Sequence, residues 1–64
     1  MNRKQMEYFI EVYRCGNIQT AADHLYVARQ GLSRAMRSLE AELGQPLFTR
    51  TPRGIIPTDY AAAL

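Results

Sequence analysis

Four polar side chains recur at helical spacing in the middle of the chain, and none of them is acidic. They are Gln30, Ser33, Arg34 and Arg37. At about 100° of rotation per residue, these four positions share one face of a helix. Arginine can form two parallel hydrogen bonds with guanine, glutamine can do the same with adenine, and serine can bond to a base edge or a phosphate. The spacing therefore predicts a helix face that reads the edges of bases in a major groove.

An ordinary solvated face is the alternative interpretation of this pattern. Solvated faces usually mix acidic with basic residues, whereas residues 29–38 contain three arginines and no acid. Residues 45–58 likewise contain two arginines and no acid. The formal net charge of +2 is too small to indicate a partner by itself. The separation of the charges along the chain nevertheless favours an anionic partner for these two segments.

The start of the same predicted helix breaks two local rules. Arg29 lies in the first turn, where the helix dipole favours anions over cations. Ala28, just before it, has no side-chain oxygen to cap the free N–H groups. A DNA phosphate at this point would satisfy both the N–H groups and the arginine. The alternative is a poorly capped helix start that the fold simply tolerates.

Two further arginines fall in a predicted hairpin. Arg53 stands beside Gly54 at its tip, where an arginine can enter a minor groove or neutralise a phosphate. Arg50 lies on the preceding strand, and we expect it to meet a phosphate or an acidic neighbour. The complete set of predicted DNA-binding residues is Arg29, Gln30, Ser33, Arg34, Arg37, Arg50 and Arg53.

Three amphipathic helices must position this set. Apolar residues at the i, i+3, i+4, i+7 spacing predict a helix over about Arg3–Cys15, a short helix that begins at Ile18 and a long helix over about Arg29–Leu43. Asn2 and Asn17 precede the first two as caps, and a glycine ends the first and the third. The predicted core is Phe9, Ile10, Ala22, Leu25, Leu32, Met36, Leu39, Leu43, Leu47 and Phe48.

After Pro46 the sequence pattern changes from helical periodicity to short strand-like segments. Residues 47–50 and 55–56 are strand-like, and between them Thr51–Gly54 fits a turn with proline second and glycine fourth. Thr58 or Asp59 would cap a last helix. The predicted fold is mainly α with a small β-hairpin, a winged helix-turn-helix with a three-helix core, a wing and the start of a further helix.

Length and composition narrow the remaining possibilities. The chain has 64 residues, enough for one small domain, and its final residues look like the beginning of a longer helix. No uncharged stretch is long enough to span a bilayer, and the charged start is unlike a signal peptide, so we expect a cytoplasmic protein. No nucleophile–base pair, glycine-rich phosphate loop or metal motif occurs. We therefore expect neither an enzyme nor a cofactor.

Two reactive residue types occur once each. Cys15 is the only cysteine, so we expect it to form no internal disulfide and no four-ligand zinc site. We interpret it as inert packing; a reactive thiol is the less favoured alternative. His24 is the only histidine, and we expect it to face solvent without binding a metal.

Several segments together resemble the N-terminal domain of LysR-type transcriptional regulators. They are residues 8–12 (YFIEV), 21–25 (AADHL), 32–34 (LSR), 39–40 (LE), 43–50 (LGQPLFTR) and 53–58 (RGIIPT). The resemblance covers essentially the whole chain and is specific in combination. It implies a sequence-specific DNA-binding transcription regulator, with base and phosphate contacts at Arg29, Gln30, Ser33 and Arg34 and a wing contact at Arg53. The family usually has serine in place of Ala28 and glutamine in place of Arg29.

The resemblance also implies what surrounds such a domain in a complete bacterial regulator. Residues 1–58 would form the DNA-binding domain, and residues 59–64 would begin a linker helix that joins two heads in a homo-oligomer. An effector domain, absent from this sequence, would bind a small-molecule inducer. The DNA partner would be an inverted repeat in a promoter or operator. The alternative function is a winged helix that binds another protein instead of DNA, which would require an apolar or acidic face on the third helix.

Overall fold

The computed structural model describes residues 2–64, which form four helices and one two-stranded sheet. In chain order the elements are α1 (Arg3–Cys15), α2 (Ile18–Leu25), α3 (Arg29–Leu43), β1 (Phe48–Thr51), β2 (Gly54–Pro57) and α4 (Asp59–Ala63). These bounds confirm the predicted helices, hairpin and winged helix-turn-helix order. Among residues 2–64, no helix combines the length and the hydropathy that crossing a membrane requires.

Side chains cap the starts of three of these helices. At α1, the Asn2 side chain accepts from the Gln5 amide at 2.8 Å, and the Gln5 side chain accepts from the Asn2 amide at 3.1 Å. At α2, the Asn17 side chain accepts from the Thr20 amide at 3.0 Å. At α4, the Thr58 hydroxyl accepts from the backbone amide three residues later at 3.2 Å. Each contact satisfies an N–H group that the helix itself leaves unpaired.

The connection between α2 and α3 is a short turn that contains neither glycine nor proline. It turns instead at Tyr26, which has φ of +57° in the left-handed region. A non-glycine residue pays a steric cost for that conformation. The amide of the next residue, Val27, donates to the Ala22 carbonyl at 3.0 Å and so closes the end of α2. The Tyr26 side chain is 96% exposed.

The wing is an antiparallel hairpin that the rest of the fold holds at both ends. Phe48 pairs with Pro57 and Thr51 with Gly54, so the turn consists of the two residues between the last pair. Gly54 has φ of +130°, and a Cβ atom there would lie 3.0 Å from the Gly16 carbonyl oxygen at the end of α1. Only glycine fits this close backbone approach without strain.

The core lies where α1, α2 and α3 meet. It contains most of the predicted residues but follows a different stripe of α1: Ile10 is 47% exposed, whereas Val12 is completely buried. The prediction for Ile10 is therefore wrong, because α2 and α3 cover only part of the apolar surface of α1. Ile10 and Tyr13 instead line an open groove with residues of α4.

Other differences from the predicted core are smaller. Leu25, Leu43 and Phe48 pack against the core but are only partly buried. The buried set is Phe9, Val12, Ile18, Ala21, Ala22, Leu32, Met36, Leu39, Leu47 and Ala61. The two alanines of α2 are fully buried because small side chains let the helices approach closely.

Candidate nucleic-acid interface

Two adjoining grooves bring most of the predicted site together. The first has a volume of about 340 Å³, and its walls are Ile18, Arg29, Gln30, Ser33, Arg34, Arg37 and Arg50. Six of the seven predicted DNA-binding residues thus surround one depression. The second has a volume of about 370 Å³, and its walls are Asn17, Ile18, Gln19, Arg29, Arg50, Thr51, Gly54 and Ile55. None of the residues that line either groove, among those the structure describes, is acidic.

Packing of α3 decides which of its residues face the first groove. Leu32, Met36 and Leu39 are buried against the other helices, so the opposite face of α3 is turned outward. Arg34 and Arg37 are exposed on that outward face. The helix periodicity seen in the sequence therefore gives the correct orientation for the polar residues of α3.

A hydrogen bond joins the wing to α3 inside this site. The Arg50 guanidinium donates to the Ser33 hydroxyl oxygen at 3.2 Å. Arg50 also lines a small cavity together with Glu40, so the expectation that it meets a phosphate or an acidic neighbour stays a prediction. Because Ser33 accepts this bond, its own hydroxyl hydrogen remains available for a phosphate or base acceptor.

The start of α3 has the features that the sequence predicts. Ala28 is the residue before the helix, and no side chain caps the first turn through it. Arg29 is exposed and belongs to the walls of both grooves. Free N–H groups and a guanidinium therefore lie together at the junction of the grooves, where both attract an anion.

Arg53 stands apart from the other six residues. It is exposed in the turn of the wing and lines neither groove. The turn is held from within, since the Thr51 hydroxyl donates to the Gly54 carbonyl at 2.9 Å and accepts from the Arg53 amide at 3.3 Å. A DNA contact by Arg53 would thus extend the site beyond the grooves.

Sequence reasoning missed two polar residues of the second groove, Asn17 and Gln19. Asn17 was assigned as the cap of α2, and the structure confirms that role. The Gln19 side-chain amide donates to the Asp23 carboxylate at 3.0 Å, a contact between successive turns of α2. Their position next to the wing follows from the contact of the hairpin with the turn between α1 and α2, where the Ile55 amide donates to the Gly16 carbonyl at 3.4 Å. No local pattern signals that contact.

A second polar cluster lies between α1 and α2. Glu11 Oε2 is 2.9 Å from His24 Nδ1 and accepts a hydrogen bond from Cys15 Sγ at 3.2 Å. Hydrogen bonds from His24 and then Cys15 lower the pKa of the Glu11 carboxyl below its usual value. The hydrogen bond to Glu11, followed by burial, raises the pKa of the Cys15 thiol. This direction agrees with the interpretation of Cys15 as an unactivated thiol.

The sequence placed His24 in solvent, and its side chain is indeed 59% exposed. It did not predict the contact with Glu11. Glu11 and Cys15 are four residues apart and visibly share a helix face, but only the packing of α2 against α1 brings the histidine to them.

Comparisons with known proteins agree with this architecture. Residues 3–62 match the sequence profile of one protein family, described as "Bacterial regulatory helix-turn-helix protein, lysR family". The nitrogen assimilation regulatory protein nac of Escherichia coli (strain K12) is 41% identical over 64 residues, which is 100% of this chain and 21% of that protein. This chain thus spans about a fifth of the length of the curated relatives it matches.

Solved structures of protein–DNA complexes have the same fold. The protein in the crystal structure of the CbnR_DBD–DNA complex is 41% identical, with a TM-score of 0.94 over 98% of this chain and 72% of that chain. The protein in the BenM_DBD/catB site 1 DNA complex is 33% identical, also with a TM-score of 0.94, over 98% of this chain and 71% of that chain.

Proposed function

We propose that this chain, which belongs to the lysR family of bacterial regulatory helix-turn-helix proteins, reads a specific DNA sequence with α3 and its wing. Its function is that of a DNA-binding transcription regulator. The observation that carries the assignment of the site is the pair of adjoining grooves. Six predicted contact residues line the first groove, and within residues 2–64 no acidic residue contributes to the walls of either groove. Such a surface attracts the phosphate backbone and still offers side chains that distinguish bases.

In the proposed complex, α3 enters the major groove. Arg34 and Arg37 donate to guanine or phosphate, Gln30 pairs with adenine, and Ser33 donates its hydroxyl hydrogen to a base edge or a phosphate. Arg29 and the uncapped N–H groups of α3 hold a backbone phosphate. These contacts divide into base recognition by the middle of the exposed face and backbone positioning by the helix start.

The wing makes the second contact of the proposal. Arg50 keeps its hydrogen bond to Ser33. Because it also lines the first groove of the protein surface, its guanidinium would neutralise a DNA phosphate bound there. Arg53, at the tip, reaches a minor groove or the backbone beside it. Arg53 lines neither groove of the protein surface. The loss of its contact would therefore weaken DNA binding without changing which bases α3 prefers.

A complete protein would use this head in pairs. We propose residues 1–58 as the DNA-binding domain and residues 59–64 as the start of a linker helix through which a homo-oligomer forms. Two heads would then bind the two halves of an inverted repeat in double-stranded DNA, in the cytoplasm. An effector domain outside this sequence would bind the small-molecule inducer. A single head should bind weakly, because linkage makes the second contact intramolecular.

The alternative of a winged helix that binds only another protein has no support in this surface. It needs an apolar or acidic exposed face on α3, and that face carries Arg34 and Arg37. Desolvating clustered guanidinium groups against a protein without acidic partners would be costly.

The test is duplex binding by fluorescence anisotropy over a salt series, using a sequence selected from a random library. We expect the logarithm of the affinity to fall with the logarithm of salt by about 0.9 per phosphate neutralised. Arg34→Ala should weaken binding by about 1–3 kcal/mol and relax selectivity at one base position. Arg3→Ala is the matched control, since Arg3 is exposed, pairs with Glu7 and lines neither groove.

Two results would contradict the proposal. One is a folded domain that binds no duplex even at low salt, with or without a restored linker helix. The other is an equal loss for Arg3→Ala and Arg34→Ala, which would indicate attraction by total charge alone. Nanomolar specific binding by a strict monomer would contradict the need for two heads.

A further inference from the structure

The cluster between α1 and α2 has no part in the proposed DNA contacts. Glu11, Cys15 and His24 line neither basic groove. Each offers one potential ligand atom, and the three atoms lie within 4.8 Å of one another. They belong to three different chemical types, an oxygen, a sulfur and an imidazole nitrogen.

The distances between these atoms form a compact triangle. Glu11 Oε2 is 2.9 Å from His24 Nδ1 and 3.2 Å from Cys15 Sγ, and Cys15 Sγ is 3.6 Å from His24 Nδ1. In a tetrahedral zinc site, bond lengths of about 2.0–2.3 Å place neighbouring ligand atoms about 3.3–3.6 Å apart. The sulfur–nitrogen edge already has that length, and the other two need only small side-chain rotations.

We propose that Glu11, Cys15 and His24 bind one zinc-class divalent cation. A thiolate with an imidazole selects Zn²⁺ over Mg²⁺ and Ca²⁺, which prefer oxygen ligands. The fourth tetrahedral position falls to water, since the His24 side chain is 59% exposed and three protein ligands leave one position open.

The charges of the site balance. On binding, the Cys15 thiol transfers its proton to solvent, so that one thiolate and one carboxylate neutralise the two charges of the metal. The imidazole binds in its neutral form through Nδ1. Arg14 is the neighbouring cation on α1 that acts on both Glu11 and Cys15, and it opposes the metal. We therefore expect weaker binding than in closed sites with four protein ligands.

The position of the site determines its consequence. Two ligands lie on α1 and the third on α2, so a bound cation would join the two helices across the Gly16 turn. A ligand that binds the folded chain and not the unfolded one raises the melting temperature, by an amount that grows with the logarithm of the free ligand concentration above the dissociation constant. Metal binding is therefore predicted to stabilise the domain without touching the residues proposed to contact DNA.

The test is a titration of the reduced 64-residue chain with CoCl2, followed by displacement with ZnCl2. We expect a thiolate-to-cobalt charge-transfer band in the near ultraviolet that saturates at one Co²⁺ per chain and disappears as Zn²⁺ is added. Zn²⁺ should also raise the melting temperature measured by circular dichroism. Cys15→Ser should abolish the band, and competition with a zinc chelator should show affinity for Zn²⁺ reduced at least about 100-fold.

Two more ligand variants and one control complete the experiment. His24→Gln and Glu11→Gln should each weaken Co²⁺ binding at least about tenfold. Glu7→Gln is the matched control on α1, because Glu7 pairs with Arg3 and lies outside the cluster. Far-ultraviolet circular dichroism in chelator establishes that each variant is folded. If one of the three ligand variants does not fold, the metal affinities of the other two still test the proposed site.

Three outcomes would overturn the proposal. The first is the absence of a charge-transfer band and of a zinc-dependent shift in melting temperature for the folded, reduced chain. The second is an unchanged band in folded His24→Gln, which would mean that Cys15 binds the metal without this cluster. The third is a stoichiometry of one metal for two chains, which would place the site between molecules.

Discussion

The two helices of the helix-turn-helix begin in opposite ways. The first turn of α2 follows Asn17, whose side chain accepts from the Thr20 amide, and a further contact joins Gln19 to Asp23 within the helix. The first turn of α3 follows Ala28, which offers no such bond, and starts with an exposed arginine. The difference shows that α2 is stabilised locally, whereas α3 gives up local stability where the proposed DNA phosphate would bind.

Packing compensates α3 for its unfavourable start. Leu32 and Leu39 are completely buried, and Met36 between them is nearly so. Helices in proteins owe most of their stability to such packing and less to their ends. The long third helix can therefore tolerate an unsatisfied first turn that a helix of eight residues such as α2 would tolerate less well.

The largest effect should come from the buried face of α3. Leu39→Ala should destabilise the domain by about 2–5 kcal/mol, since it removes transfer free energy and leaves a cavity. That loss is large enough to unfold a domain of this size. Thermal unfolding followed by far-ultraviolet circular dichroism measures it. Arg34→Ala on the exposed face is the control and should stay within about 0.5 kcal/mol. Similar melting of Leu39→Ala and the unchanged chain would refute the assignment of the buried face.

A medium effect should follow from breaking the cap of α2. Asn17→Ala removes the acceptor for the Thr20 amide and should cost about 0.5–2 kcal/mol of stability. Urea unfolding without DNA is the suitable measurement, because Asn17 also lines a groove. Asn17→Asp retains the acceptor and should preserve stability. Equal losses in both variants would show that the cap is not what holds α2.

The smallest effect should come from giving α3 the cap that it lacks. Ala28→Ser supplies an acceptor to the first turn and should raise stability by up to about 1 kcal/mol. If a phosphate takes the same N–H groups in the complex, affinity for DNA should fall by a similar or smaller amount. Ala28→Val adds a side chain without an acceptor and serves as the control. If Ala28→Ser gained stability and kept its affinity for DNA, the proposed phosphate contact at the start of α3 would be contradicted.

Local patterns predicted most of the fold. Asn2, Asn17, Gly16 and Gly44 mark helix ends, and the structure confirms all four because caps depend on residues close in sequence. The exposed face of α3 was predicted for the same reason. Whether its side chains contact DNA remains a prediction, since periodicity gives orientation and not the partner.

Long-range packing produced what the sequence did not predict. Ile10 and Val12 are both apolar, and periodicity alone selected the wrong one because it does not reveal where α2 and α3 cross α1. Tyr26 carried no signal of its left-handed conformation, which glycine or asparagine would usually give. The contact of His24 with Glu11, between residues 13 apart, likewise depends on how two helices pack.

Glu40 determines how α3 and the wing can meet a partner. Its carboxylate accepts from the Leu47 amide at 2.7 Å and from the Phe48 amide at 3.3 Å, so the side chain of one element fixes the backbone of the other. In the proposed complex, two surfaces joined in this way would approach DNA as a single preorganised body. The loss of their relative freedom occurs during folding, and little of that entropic cost remains for the moment of binding.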